Sequence, residues 1–418
     1  MKNGPLLKVL IAMALAVAAG AATGPETAFF GVTALQLYDL IGKLFLNALT
    51  LVVVPLVAAS IITGTARMGS ERSFGTLGAK TFGWYLATTL LAVLVGWGAF
   101  MALSPGAGLE PLPADPEQMA RFSSEAAGLD GTFEKIEQIL FKLVPSNILS
   151  AASEGQMLGL IFFSLLFGFF IPKIEGEPGR ALLGFWRGIF QVMMKMTQLV
   201  MRALPIGVFG LVAKVAATTG LEAVRPILLF VLTVLFGLGF YSLAVIPLLL
   251  RFGGGVSPLR HFRAAAPALF TAFSTSSTAA TLPVTIDCME KRAGLSNRIC
   301  SFTVPLAASL NLSGTALYTC VSALFICHVY GVALTLPLQL FIVVMALITS
   351  FGMAGIPSAS LVTVVMILHT VGLPADGVAL ILTVERVLDM CRTAVNVYAN
   401  TCCAVLVARS EGEAHALA

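Results

Sequence analysis

Long apolar runs joined by short polar loops make up most of this 418-residue chain. Eight can be drawn, at approximately 6–23, 38–66, 76–103, 147–173, 183–214, 222–250, 295–328 and 374–408. Each is near or beyond the roughly 20 residues that an α-helix needs to cross a bilayer. Lys2 and Lys8 flank the start of the first run, which ends Ala-Ala-Thr-Gly as a signal peptide can; a retained helix is the preferred reading. Two more apolar stretches, 257–293 and 333–371, have polar, proline-containing centres, Phe273-Ser-Thr-Ser-Ser-Thr-Ala-Ala-Thr-Leu-Pro-Val-Thr285 and Ser350-Phe-Gly-Met-Ala-Gly-Ile-Pro-Ser-Ala-Ser360. They read as re-entrant hairpins, because irregular backbone at membrane depth survives only under cover of protein or beside a water-filled cavity. Two ordinary kinked spans would be the alternative, and would upset the placement of the charged loops. The pattern therefore predicts an all-α polytopic membrane protein of eight transmembrane helices plus two re-entrant hairpins. The order hairpin, helix, hairpin, helix, with the hairpins entering from opposite sides, implies inverted repeats with a solute site near the midplane.

Composition agrees, with 58% hydrophobic residues and only 11% charged. A net charge of +4 is too small to suggest a nucleic-acid partner. Basic residues cluster in alternate loops: Arg67, Arg72 and Lys80; Lys173, Arg180 and Arg187; Arg251, Arg260 and Arg263; Lys291, Arg292 and Arg298. The segment 24–37 has no Lys or Arg, and 104–146 has seven acids against three bases. The positive-inside rule then puts both termini in the cytoplasm and the long acidic loop outside. Seven cysteines without metal spacing read as buried free thiols. The four histidines show no metal spacing either, and no Gly-x-Ser-x-Gly elbow supports an intramembrane hydrolase, so no enzyme is expected.

From Ile299 to Ala375 there is no Asp, Glu, Lys or Arg; the last span then carries Glu385, Arg386, Asp389 and Arg392. Charges at membrane depth cost several kcal/mol and mark function by default. At 100° per residue Asp389, Arg392, Thr393, Asn396 and Asn400 share one stripe, which must face the interior. Arg392 offers a planar donor fork to a carboxylate, and Asp389 an acceptor to an ammonium. One helical turn thus suits both ends of an acidic amino acid. The rival is an Asp389–Arg392 ion pair that only braces the helix. Asn311-Leu-Ser-Gly-Thr315, mid-span, reads as an unwound turn whose carbonyls can bind an ion or substrate.

At these residues the chain resembles the dicarboxylate/amino acid:cation symporter family, which includes glutamate transporters. The resemblance covers nearly the whole chain: Asn47-Ala-Leu-Thr-Leu-Val-Val-Val-Pro55, Val144-Pro-Ser-Asn147, Thr281-Leu-Pro-Val-Thr285, Asn311-x-x-Gly-Thr315, Ala354-Gly-Ile-Pro357 and Leu388-Asp-Met-Cys-Arg-Thr393 with Asn396. It implies that Arg392, assisted by Thr315, binds the side-chain carboxylate of an acidic amino acid and Asp389 its amino group. Thr393 and Asn396 would hold the amino-acid end and Ser277 and Thr278 the α-carboxylate. Residues 354–360, with Ala354, Gly355 and Pro357, would form a gate. It further implies a homotrimer working as an elevator. The scaffold would comprise 1–75 (helices 1 and 2) and 104–220 (external loop, helices 4 and 5). The transport domain would comprise 76–103 (helix 3) and 221–418, with helix 6, hairpin 1 (257–293), helix 7 (295–328), hairpin 2 (333–371) and helix 8 (374–408).

Departures from the family pattern bear on the coupling ion. Sodium-coupled members carry Asp where this chain has Ser313 and Asn400. A hard cation wants anionic oxygens, so Thr88, Thr89, Asn311, Ser313, Asn396 and Asn400 read as degenerate cation positions. A third family site uses mainly backbone carbonyls and leaves Na⁺ possible but weakened. The carboxylate that animal members place after the segment-seven tyrosine is here Thr319, and no arginine stands at Ser276 or Met390. The expectation is proton-coupled, sodium-independent symport of aspartate or glutamate without a cofactor, in a plasma membrane of the bacterial inner-membrane kind. Glu385 and Asp389 are the candidate proton carriers, since carboxyls out of water resist ionisation, although Arg386 and Arg392 favour the charged form. The alternatives are sodium-coupled transport, a C4-dicarboxylate substrate (which Asp389 would repel) and an anion channel.

Overall fold

A computed structural model describes residues 4–23, 27–29, 31–69, 75–106, 141, 144–153, 157–219, 224–351, 359–371, 373 and 377–413. The described chain is helical apart from a small antiparallel ladder that pairs Ala28–Phe29 with Val32–Thr33. Helices cover Gly4–Thr23 (span 1), Ala34–Gly69 (span 2) and Gly75–Leu103 (span 3), close to the apolar runs of the sequence.

Spans 4 and 5 are less regular than the sequence suggests. Span 4 is Ile148–Ser153 and Met157–Phe170, extended by a 3-10 turn at Ile171–Lys173. Span 5 is two helices, Glu177–Arg202 and Leu204–Thr219, bent by 54°. Pro205 supplies the reason, since it has no N–H to carry the hydrogen-bond ladder across the junction. Span 6 runs from Val224 to Phe240 and on to Gly253 through two π-helical turns, Tyr241–Val245 and Leu249–Gly253.

Segment 257–293, hairpin 1 of the sequence, contains two helices packed on each other. Its first arm, Pro258–Thr275, ends where Ser276 turns left-handed at φ 51°. Ser277 then caps the second arm, Thr278–Asp287, by accepting from the Ala280 N–H at 3.2 Å. Hairpin 2 has arms Leu336–Ser350 and Ala359–Thr370. Its tip, including Ala354, Gly355 and Pro357, lies outside the described residues.

Span 7 is broken, but more tightly than expected. Only Asn311 and Leu312 leave helical geometry (φ/ψ −127°/69° and −99°/55°), between Asn297–Leu310 and Ser313–Val329. Ser313, Gly314 and Thr315 already belong to the second helix, which corrects the expectation of an unwound turn through Thr315. Span 8 is one unbroken helix, Val378–Ser410.

Among the described residues, three helices are long and apolar enough by themselves to cross a membrane: Thr76–Leu103, Arg225–Gly253 and Asn297–Val329. The polar stripe of span 8 keeps it out of this set. Span 7 lies at the centre, with 94% of its apolar window buried against 39% for spans 3 and 6. A helix apolar all round suits such a place.

Packing sorts the helices into two groups. Spans 1, 2, 4 and 5 pack chiefly on one another. Spans 3, 6 and 8 and both hairpins surround span 7. Gly314 permits a close approach of spans 7 and 8. A Cβ there would lie 2.7 Å from the Arg392 carbonyl and 3.2 Å from Asn396 Oδ1. Gly314→Ala is therefore expected to push spans 7 and 8 apart and cost roughly 1–3 kcal/mol as overpacking does. Thermal unfolding in detergent checks this, and an unchanged Tm contradicts it.

The C-terminal end of span 8 ties this group together. Lys80 meets Glu411 Oε1 and the Ser410 carbonyl, both at 2.7 Å. Glu413 accepts from the Ser296 N–H at 3.2 Å and from its hydroxyl. Arg409 donates to the Gly254 carbonyl at 2.8 Å. All seven cysteines are free, and all but Cys391 are buried.

Candidate functional site

Span 8 buries its whole predicted stripe. Asp389, Arg392, Thr393, Asn396 and Asn400 are each under 5% exposed, and so is Glu385. The Arg392 guanidinium forms a fork with Glu385, Nη2 to Oε1 at 2.6 Å and Nη1 to Oε2 at 3.2 Å. The same Nη2 donates to Asp389 Oδ1 at 2.8 Å. The Tyr318 ring lies against the cation, 4.4 Å from the guanidinium carbon to the ring centre. Tyr318 also donates its hydroxyl to Glu385 Oε2, and Ser360 of hairpin 2 donates to Oε1 at 3.1 Å. Arg386 completes the group, 3.5 Å from Asp389 Oδ2.

The rival ion pair of the sequence reading thus exists, but in a larger form. Arg392 is held by two carboxylates, and Glu385 rather than Asp389 takes its planar fork. Such a cluster is satisfied only as a whole: two acids face two bases and the formal charge is zero. A buried network of this kind is costly to leave half-paired. The Nη1/Nη2 fork of Arg392 is thus taken by the Glu385 carboxylate.

Asn396 and Thr315 are locked to each other. The Thr315 N–H donates to Asn396 Oδ1 at 3.1 Å, and Asn396 Nδ2 donates to Thr315 Oγ1 at 2.9 Å. Hairpin 1 brings Thr278, 3% exposed, to the N-terminus of its second arm. Helix N-termini of this kind favour anions. Ser276, which precedes the cap, is buried with no hydrogen-bond partner for its hydroxyl among the described residues.

The degenerate cation positions also converge. Thr88, Thr89 and Ser313 each donate a hydroxyl to Asn311 Oδ1, at 3.1, 3.0 and 3.0 Å. Asn311 Nδ2 lies 3.0 Å from Asn400 Oδ1 and 3.4 Å from Cys403 Sγ. In the orientation that best satisfies its amide, Asn400 donates to the carbonyls of Asn311 and Asn396, at 2.8 and 3.1 Å. The break in span 7 has a use here, because it turns Asn311 into this cluster. Every side chain in it is neutral, and Thr88 and Cys403 also reach the Trp84 carbonyl. The cluster offers a hard cation hydroxyl, amide and carbonyl oxygens but no carboxylate.

A match to the sodium:dicarboxylate symporter family spans residues 6–410. The chain belongs to the sodium:dicarboxylate symporter family. Members of this symporter family are transporters, not enzymes. Among its relatives are a proton/glutamate-aspartate symporter of Escherichia coli (strain K12), 34% identical over 88% of this chain and 84% of the relative. A protein of the same description from Bacillus subtilis (strain 168) is 34% identical over 97% of this chain and 96% of its own. Excitatory amino acid transporter 3 of Oryctolagus cuniculus is 33% identical over 85% and 76%.

Three contacts in this symporter were not foreseen from the sequence. Tyr318 and Ser360 reach Glu385 from span 7 and hairpin 2, and Cys403 joins the amide cluster. Spacing along span 8 could have flagged Cys403, seven residues after Asn396 on the same stripe. Nothing local signals Tyr318 or Ser360, which depend on how other helices pack.

Restoring carboxylates tests the amide cluster. Ser313→Asp with Asn400→Asp is expected to create sodium binding where the parent has little. Sodium-dependent tryptophan fluorescence or calorimetry reads it, and a double variant as indifferent to sodium as the parent contradicts it.

Proposed function

We propose that this protein is a secondary active symporter of acidic amino acids, driven by protons and independent of sodium. The observation that carries this reading is a charge balance. Glu385, Asp389, Arg386 and Arg392 sum to zero, and the amide cluster beside them holds no charge. An acidic amino acid brings one net negative charge into the same dry interior, where an uncompensated charge is strongly disfavoured. No carboxylate-bound sodium is available to cancel it. One proton cancels it.

Glu385 is the carrier that the geometry favours. The substrate side-chain carboxylate takes over the fork of Arg392, and Asp389 takes the ammonium. Glu385, deprived of its cation, stays buried beside Tyr318 and Ser360 by taking a proton and donating it within that pair of hydroxyls. Release reverses the exchange, so that proton and substrate move together. Thr315, Thr393 and Asn396 line the amino-acid end, Ser277 and Thr278 cap the α-carboxylate, and residues 354–360 gate the site.

The two packing groups support the division into a scaffold (1–75 and 104–220) and a transport domain (76–103 and 221–418), with eight spans and two hairpins sliding as an elevator. Phe185, Val192 and Leu199 stand out on Glu177–Arg202 at seven-residue spacing, 60%, 53% and 65% exposed. A stripe of that period is suited to helix contacts between copies, in keeping with a homotrimer. The loop charges support cytoplasmic placement of both termini, and the short loops suit a bacterial inner membrane. The relatives' names support acidic amino acids, and those names span proton and proton/sodium coupling, as in a proton/sodium-glutamate symport protein of Bacillus caldotenax, 32% identical over 99% of this chain.

Labelled aspartate uptake into liposomes tests the reading. Accumulation driven by an inward proton gradient in sodium-free buffer is expected. Uptake that needs a sodium gradient and ignores pH would overturn the coupling, and ion currents that never saturate with solute would overturn the carrier.

A further inference from the structure

An apolar groove of about 430 Å³ lies between span 6, the first arm of hairpin 1 and span 8, lined by Leu243, Pro247, Leu259, Phe262, Val395 and Tyr398 among others. That size is within the roughly 300–1,000 Å³ typical of small-molecule sites. The first π-helical turn of span 6 contributes Ser242 and Leu243 to one wall. Such turns are frequent at functional sites; here Leu243 is 82% exposed. Ser242 lines the groove and its buried hydroxyl has no hydrogen-bond partner among the described residues.

Charge singles out two of these elements, span 6 and the first arm of hairpin 1. From Val224 to Ile286 the chain has Arg225, Arg251, Arg260 and Arg263 and not one Asp or Glu. Arg251 follows Pro247 by one helical turn, and Arg263 follows Leu259 by one turn, so cations flank two walls of the groove. Arg251 and Arg263 are exposed, and both belong to loops or loop-proximal turns that the positive-inside rule puts on the cytoplasmic side. Basic pockets between membrane helices on that side suit anionic headgroups. A second copy of this surface is a poor occupant, since an isologous contact would set arginine against arginine with no acid between them.

We propose that this groove holds an acyl chain of an anionic phospholipid from the cytoplasmic leaflet, with its phosphate at Arg251 and Arg263. The chain fills the apolar trough over Phe262 and Val395. The groove touches hairpin 1 and span 8 together, the two elements that carry most of the substrate contacts proposed above, but its occupancy does not depend on which solute or ion is carried.

Native mass spectrometry of the whole protein, titrated in mild detergent with phosphatidylglycerol or phosphatidylcholine, tests this. Phosphatidylglycerol is expected to be retained in preference. Arg251→Gln with Arg263→Gln should lower its affinity by roughly fivefold per arginine, the factor that about 1 kcal/mol per basic side chain near an anionic headgroup gives. Ser242→Phe, which fills the trough, should release the lipid while the arginines stay. Equal retention of the two lipids, or a preference that survives both variants, overturns the proposal. So does competition by free glycerol phosphate as effective as by the whole lipid, or loss of oligomer rather than of lipid in Ser242→Phe.

Discussion

Arg392→Met is expected to abolish aspartate binding and to destabilise the protein at the same time. The variant removes the one cation that faces Glu385, Asp389 and Tyr318 together. Breaking a buried ion pair from one side costs about 3–5 kcal/mol, because the partner charge is stranded. Loss of binding alone would therefore be ambiguous, since a poorly folded variant also fails to bind. A second variant separates the two effects. Glu385→Met with Arg392→Met removes the pair and leaves apolar side chains of fitting size, which is often neutral or stabilising. Its Tm should recover while aspartate binding stays lost. Normal aspartate affinity in the double variant would show that the substrate carboxylate is bound elsewhere.

Glu385→Gln is expected to separate transport from the proton gradient. Glutamine keeps the shape of a protonated glutamic acid and can still bond Tyr318 and Ser360, but it cannot release a proton. Arg392 then has a weaker neutral partner in place of a carboxylate, so the substrate meets less competition for the guanidinium fork. Affinity for aspartate should rise at neutral and alkaline pH, where the parent must take up a proton to bind. Exchange of internal for external aspartate should persist, whereas accumulation against a gradient, driven by pH, should vanish. Steady-state uptake with and without a pH gradient measures both. Proton-driven accumulation that survives in this variant would move the carrier role to Asp389, whose second oxygen faces Arg386.

Much of this arrangement was legible along the chain. Asp389 and Arg392, placed at helical spacing with Thr393 and two amides, named a face of span 8 that is buried. Small polar residues around Pro283 marked hairpin 1, and the serine cap forms within the run of hydroxyls, at Ser277. The two missing carboxylates at Ser313 and Asn400 pointed to the neutral cluster around Asn311. What the chain did not disclose depends on three-dimensional neighbours. Glu385 was a candidate proton carrier, yet its place in the fork of Arg392 follows from a side chain two turns away reaching back along the same helix. Tyr318 and Ser360 come to it from other elements, hundreds of atoms away by sequence and in contact only after packing. The bend in span 5 was signalled by Pro205, but a continuous apolar run concealed it. The break in span 7 is shorter than its glycine suggested, because Gly314 serves the approach of span 8 instead of a turn.

The exchange of carboxylates at Arg392 has a direct readout, the number of protons taken up when aspartate binds. In weakly buffered, sodium-free solution the purified protein should take up close to one proton per aspartate bound. The number should be the same after sodium is added and should fall to none in Glu385→Gln. Binding that takes up no proton and tightens steeply with sodium would contradict the account.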